Sequence, residues 1–362
     1  MSRQLDILAL EPFYGGARRA MLETLVRHSR HRWTVLKLPP RRIERRLEVA
    51  ANWFSEQLKA HWVGRVDLLF TSEAMNLASL LRLTPALVGH PSVVYFHDNQ
   101  LPDLSVREEE PLDLVNLSTA TAATEIWFNS AYHQQTFMIR ASALVDRHPE
   151  LSNRNPMAQL TGKARLMLPP VSWRTIDELR SAGTVQRSPR TIFFETRDAN
   201  MEILNEGLGL LRRKGVTFNA VTVGPVDSLD PEVPRYTAPE RDEASQARGM
   251  LESSIVVSAK PEAASDYLAI RALIAGCRPV LPDGGVYPEL LPRALHASCL
   301  YYVDGEGLAE SLESALDPSR PEWHGDGFRK VFQAYDAIPA CRAFDDRLEQ
   351  LIASQPTPRQ RV

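Results

Sequence analysis

The run Leu5-Asp6-Ile7-Leu8-Ala9-Leu10-Glu11-Pro12-Phe13-Tyr14-Gly15-Gly16 decides the reading of the fold. Leu5–Leu10 has the length and apolar character of a buried strand, and Ala17–Arg27, after the paired glycines, reads as a helix. Strand, glycine turn and helix open a βα unit, and the pattern repeats. Strands are expected at Trp33–Lys37, Val66–Thr71, Ser92–Phe96, Glu125–Phe128 and Lys163–Leu168. Helices are expected at 43–60, at 74–81 and from Asn129-Ser130 through Met138. After a polar stretch, Gly183–Pro189, the alternation restarts. Strands at Thr191–Phe194, Phe218–Val223, Ile255–Ser258, Pro279–Leu281 and Cys299–Val303 are expected, with helices near 201–214, 266–275 and 305–316. Most of 327–352 reads as helical, with an aromatic packing stripe of Phe328, Phe332, Tyr335 and Phe344 interrupted at Pro339. The expectation is α/β: two mostly parallel sheets joined by a linker near 175–188, with a cleft beyond the carboxyl ends of both sets of strands.

Length and composition agree with this. The chain has 362 residues, 44% hydrophobic and 24% charged, with 18 Gly and 26 Pro, which excludes disordered and collagen-like chains. At roughly 100–200 residues per domain it makes about two domains. No apolar run approaches the ~18–20 residues of a membrane span. Asp6 interrupts the first apolar run, so a signal peptide is not expected. Cys277, Cys299 and Cys341 cannot all pair, and no Cys/His set has zinc spacing. A reduced, cytoplasmic protein without membrane or metal is expected.

The net charge of −3 argues against general coating of nucleic acid. Its distribution does not. Residues 17–46 hold ten Arg or Lys (18, 19, 27, 30, 32, 37, 41, 42, 45 and 46) against Glu23 and Glu44, a local excess of +8. Such a stretch either steers a polyanion or coats solvated helix faces.

Three strand ends carry residues that a plain core does not need. Glu11-Pro12-Phe13-Tyr14-Gly15-Gly16 precedes a helix, and paired glycines there serve a strained turn or the close approach of a ligand to backbone. His97-Asp98-Asn99-Gln100 sets four hydrogen-bonding side chains after the fourth strand. Asn129-Ser130 follows the fifth, where an N-cap is the simpler role. There is no G-x-G-x-x-G, no Walker loop and no D-x-D.

Together, Tyr14-Gly15-Gly16, Leu38-Pro39, Phe70-Thr71-Ser72, Asn76-Leu77, Tyr95-Phe96-His97-Asp98-Asn99-Gln100-Leu101 and Phe128-Asn129-Ser130 resemble the N-terminal domain of the tRNA-queuosine α-mannosyltransferases. That family is related to the retaining family-four GT-B glycosyltransferases. Val256-Val257-Ser258, Gly276-Cys277-Arg278-Pro279 and Val286-Tyr287-Pro288-Glu289 extend the resemblance into the second half. It implies two facing Rossmann-like domains, 1–175 on the acceptor side and 188–325 on the donor side, with helices of 326–353 packing back across the cleft. It implies transfer of a hexose, mannose, from a nucleotide diphosphate sugar such as GDP-mannose to queuosine in tRNA, with retention and without a metal. His97, Arg197 and Glu262 would then be catalytic. Arg197, Lys260, Glu262 and Tyr287 would hold the donor. Tyr14, Gly15, Gly16, Asp98, Asn99, Gln100, Asn129, Ser130, Arg42 and Arg46 would hold the acceptor.

The donor half departs from the family pattern. The family has a Lys a few residues after the position of Arg197, whereas here none follows until Lys214. Arg271 stands where the family has a second glutamate, and an arginine cannot accept hydrogen bonds from a ribose. Two further readings therefore stay open: a glycosyltransferase for a small molecule, lipid or glycan, and a relative that binds tRNA or nucleotide without transfer.

Overall fold

The computed structural model describes residues 3–98, 101–105, 108–110, 112–148, 156–319, 323 and 325–355. It divides into two units, one running to Pro170 and resuming at Ala337, the other spanning Val171–Asp336.

The first unit is a six-stranded sheet of β1 (Asp6–Glu11), β2 (Arg32–Lys37), β3 (Leu68–Ser72), β4 (Ser92–Phe96), β5 (Glu125–Phe128) and β6 (Ala164–Leu166), in the order β2-β1-β3-β4-β5-β6. Neighbouring strands are parallel throughout, with Ile7 opposite Leu68 and Phe96 opposite Phe128. Both faces are covered, which is why these strands read as unbroken apolar runs. Leu8 and Leu10 pack with Phe54 and Leu58 of the helix Ile43–Ala60. Ile7 faces the other way, toward Met21 and Leu25 of the helix Gly16–His28. Phe344 and Leu348 of the last helix, Ala337–Ser354, complete that second face, with Phe344 against Tyr95 and Trp127. Polar contacts fasten the same helix: Asp345 accepts from the Ser29 hydroxyl at 2.6 Å and the Arg30 N–H at 2.9 Å, and Arg347 pairs with Glu125. Pro339 lies in the first turn of this helix, where its missing N–H has no partner to lose.

The second unit repeats the plan with β7 (Ser188–Glu195), β8 (Asn219–Val223), β9 (Arg235–Ala238), β10 (Ser253–Val257), β11 (Arg278–Pro282) and β12 (Leu300–Tyr301), in the order β12-β11-β10-β7-β8-β9. All its pairs are parallel. The helices Asp113–Ala122 and Pro156–Lys163 of the first unit had no counterpart in the sequence expectation, and other features differ from it as well. The stretch read as the start of a linker is a helix, Arg174–Ala182, closed by Gly183 at φ +63°. Strand β9 and the helix Glu243–Glu252 had no counterpart, because Arg235–Ala238 is mostly polar at the sheet edge. The helix after β5 runs to Arg147. The aromatic stripe is divided between the units: Phe328, Phe332 and Tyr335 pack on one another in the second, Phe344 in the first.

Candidate active site

In each sheet the crossovers leave in opposite directions between two adjacent strands, β1 and β3 in the first and β7 and β10 in the second. The carboxyl ends at such a switch point are where open α/β sheets bind ligands.

In the first unit Glu11 closes β1, Glu73 follows β3, His97-Asp98 follows β4 and Asn129-Ser130 follows β5. Glu11 Oε1 accepts from the Phe13 N–H at 2.8 Å and the Ser72 hydroxyl at 3.0 Å. Burial pushes this carboxyl up to about 7, against the pull of the nearby Arg18 charge. Arg18, in the first turn of the helix Gly16–His28, forks onto Glu73 with Nη1–Oε2 2.8 Å and Nη2–Oε1 2.5 Å. Arg18 is 6% exposed and Glu73 0%. Arg18 Nη2 also reaches Asp98 Oδ2 at 3.1 Å, and the Asp98 N–H donates to Glu73 Oε1 at 3.1 Å. The buried pair thus fixes the backbone one residue beyond His97. The His97 ring lies edge-on to Tyr95 at 4.8 Å. Burial first, then the charges of Arg18 and His133, hold its pKa well below the ordinary histidine value, so the imidazole is neutral. Asn129 Nδ2 donates to the His97 carbonyl at 2.8 Å, and its Oδ1 lies 2.8 Å from His133 Nδ1.

The expected acceptor residues take several places. Asn129 supports the His97 loop, and Ser130 caps the helix Ala131–Arg147, accepting the His133 N–H at 3.0 Å. Tyr14 donates to Glu23 at 2.8 Å and carries the Lys37 ammonium 4.1 Å over its ring. The glycines serve the turn itself: a Cβ on Gly15 would lie 2.5 Å from Pro40 Cγ, and Gly16 has φ +51°. Arg42 is exposed, but Arg46 is half-buried and donates to the Pro39 carbonyl at 2.8 Å, so it is a loop fastener and not an open cation. Asp98 is exposed beside Arg18; Asn99 and Gln100 lie outside the described residues.

In the second unit Glu195 closes β7 and pairs with Lys260, just beyond β10. The Asn200 N–H donates to the Ala259 carbonyl at 2.7 Å, which lays the loop after β7 against Lys260. Arg197, in that loop, is exposed and pairs with Glu240, Nε–Oε1 3.1 Å. Glu262 is exposed, on a loop whose neighbour Ala263 accepts the Val286 N–H at 2.9 Å. Tyr287 differs from the expectation of a donor contact. It is 0% exposed, its hydroxyl 2.6 Å from Ser258 Oγ and 2.8 Å from Asp266 Oδ2. Ser258 donates to the same Asp266 oxygen at 2.9 Å, while Oδ1 caps the helix Tyr267–Ile274. Burial, with the Asp266 charge, keeps the Tyr287 hydroxyl protonated. Arg271, 2% exposed, reaches Glu243 at 3.0 Å and stacks over Tyr267. Among the described residues no three His, Cys, Asp or Glu converge as metal ligands, and no helix is long and apolar enough to cross a membrane.

Sequence reasoning missed Arg18 and Glu73, and Glu195 and Asp266 in the second unit. Arg18 was counted into the basic segment. The available signal was positional: Glu11, Glu73 and Glu195 all stand at the carboxyl ends of apolar strand runs.

Solved structures share the architecture. HepE from Anabaena, solved with UDP-glucose, superposes with a TM-score of 0.67 at 13% identity, covering 96% of this chain and 100% of that one. Sucrose-phosphate synthase from Thermosynechococcus elongatus gives 0.68 at 14% identity, over 98% of this chain and 100% of its own. The chain has the GT-B glycosyltransferase fold, two parallel sheets each with a switch point and a last helix that returns to the first unit. Within that fold, residues 6–171 match the family model described as tRNA-queuosine alpha-mannosyltransferase N-terminal. The tRNA-queuosine alpha-mannosyltransferase of Drosophila melanogaster is 24% identical over 313 residues, 79% of this chain and 82% of the relative. Residues 6–171 are thus similar to the N-terminal domain of the tRNA-queuosine α-mannosyltransferases, and most of the chain is similar to one member of that family.

Proposed function

We propose that this protein moves mannose from GDP-mannose to the queuosine nucleoside of tRNA with retention of anomeric configuration. The observation that carries the reading is the family match over residues 6–171, because it falls on the unit whose strand ends assemble Glu11, Arg18, Glu73 and His97. The second unit supplies donor contacts from the strand ends around Arg197, Lys260 and Glu262. In the reaction the bond from the sugar C1 to the diphosphate oxygen breaks as the acceptor hydroxyl oxygen bonds to C1 on the same face. The acceptor proton passes to the departing diphosphate. Neutral His97 hydrogen-bonds sugar and acceptor and orients them without taking a charge. Arg197 and Lys260 balance the charge that develops on the diphosphate.

Incubating the protein with GDP-mannose and queuosine-containing tRNA, then analysing nucleosides by mass spectrometry, tests the reading; a hexose increment on queuosine is expected. His97→Ala should lower the single-turnover rate by about 10²-fold or more with GDP-mannose affinity held. Unmodified queuosine under all conditions would refute the function, and an unchanged rate would remove His97 from it.

A further inference from the structure

We propose that Arg41, Arg42 and Arg45 form a surface that binds the phosphate backbone of RNA. The inference rests on the tRNA reading above and names the residues that would meet the polynucleotide. Four of the ten basic residues are neutralised by acids, and two more are engaged otherwise. Arg18 is sealed against Glu73, Arg19 pairs with Glu23, Arg30 with Asp346 and Glu349, and Arg32 with Asp6. Lys37 sits on Tyr14, and Arg46 is tied to the Pro39 carbonyl. Arg27, Arg41, Arg42 and Arg45 remain, all exposed and none paired with an acid among the described residues, and the last three stand together in the loop after β2 and the first turn of the helix Ile43–Ala60. Their charges are close enough to act on one another: burial lowers the Arg46 pKa, and Arg41 and Arg45 lower it further. An uncompensated like-charge cluster is a cost in the free protein that a polyanion removes.

Position links the cluster to the strand-end site. The loop carrying it follows β2, and Pro40 in that loop packs where Gly15 leaves no room for a Cβ. The Tyr14 N–H donates to the Leu38 carbonyl at 2.9 Å, so the arginine loop and the glycine turn form one layer. Arg42 holds φ +47°, a conformation that costs a non-glycine residue free energy and sets the backbone at the start of the helix Ile43–Ala60. The helix also exposes Glu44 in its first turn, Glu48 and Glu56 beyond it, and Lys59 in its last turn. The helix's exposed arginines are therefore grouped at one end. A flat anionic membrane would meet the acids as well as the arginines, whereas a strand of phosphates can follow the arginines alone.

Filter binding of the full chain to an unmodified tRNA transcript across a salt series tests this without requiring transfer. In the double variant R41A/R45A the slope of log affinity against log salt should flatten by roughly 0.7–0.9 for each phosphate no longer neutralised. Affinity for an unrelated RNA hairpin should fall to the same extent, since backbone contacts carry no sequence. R41K/R45K should retain the slope, and thermal unfolding of both variants should match the parent. An unaltered slope, or a parent that binds no RNA, overturns the proposal. So does loss of binding to phosphatidylserine vesicles with RNA binding intact. A flattened slope in a protein that never modifies queuosine would leave this surface standing and refute the function, while transfer with an unaltered slope would refute only the surface.

Discussion

The two units share one sheet plan and treat charge at their switch points in opposite ways. The first buries a complete ion pair, Arg18–Glu73, and keeps a carboxyl, Glu11, beside it with its pKa raised to about 7. The second leaves its ion pairs nearer solvent, Arg197–Glu240 and Lys260–Glu195, and fills the interior behind them with the Ser258 and Tyr287 hydroxyls around Asp266. Fixed, desolvated charge acts strongly and needs no rearrangement at the moment of reaction. The first unit has it as a complete buried pair, the second as Asp266 held by hydroxyls. The unit with the buried pair is the one that the N-terminal family model matches, over residues 6–171. The second unit's departures from the family pattern are absorbed structurally: the buried Arg271 pairs with Glu243, and Lys260 pairs with Glu195 at the start of the loop that lacks its own lysine.

The largest effect should come from breaking the first unit's pair. Arg18→Ala leaves the fully buried Glu73 carboxylate without its fork and should cost about 3–5 kcal/mol. Arg18→Met with Glu73→Gln should cost much less, because no charge is stranded. Urea unfolding with amide exchange in β1 and β3 measures both. A cost of about 1 kcal/mol or less for Arg18→Ala would mean the pair is wet and the contrast between units is false.

Glu11 gives the next effect, and its sign is unusual for a carboxylate. Burial raises its pKa from 4.5 to about 7, so between those values the folded chain holds a proton that the unfolded chain has released. Stability from this group is complete below pH 4.5 and is lost as pH rises through 7, by about 3 kcal/mol. Glu11→Gln keeps an acceptor for Phe13 and Ser72 and should flatten that part of the pH–stability profile. A parent profile that rises between pH 5 and 7 in amide exchange of β1 would show that Glu11 is ionised when folded.

Much of the fold was legible because parallel strands buried on both faces announce themselves as apolar runs. Ser92–Phe96, Glu125–Phe128 and the helix Gly305–Leu316 have the bounds read from the sequence. What escaped was edge and context. Strand β9 carries polar side chains because its outer side has no partner, and Arg174–Ala182 looks like linker because only Ile176 is buried. At the site, strand-end position marked His97 and Glu11, but pairing did not follow from spacing. Arg18 and Glu73 are 55 residues apart and meet only because β1 and β3 are neighbours. Counting ten basic residues as one patch failed for the same reason, since Asp346 and Glu349, which neutralise Arg30, lie in the last helix.

The smallest effect should come from the second unit's pair. Lys260 and Glu195 side chains are 15% and 22% exposed, so Lys260→Ala strands a less desolvated charge than Arg18→Ala does. Burial already raises the Glu195 pKa, and Lys260 is the main influence holding it down. Without Lys260 the carboxyl moves further up and can take a proton. The variant should then match the parent at acidic pH and lose about 1–2 kcal/mol as pH rises past neutrality, where Glu195 must ionise unpaired. Glu195→Gln combined with Lys260→Ala should remove that pH dependence. Donor affinity separates a structural lysine from one that meets the diphosphate. If Lys260 supplies the charge missing from the preceding loop, GDP-mannose binding at acidic pH, where stability is unaffected, should still weaken tenfold or more, about 1.4 kcal/mol. Equal affinity there in isothermal titration would leave Lys260 only a clamp on Glu195, and would leave the donor diphosphate to Arg197 alone.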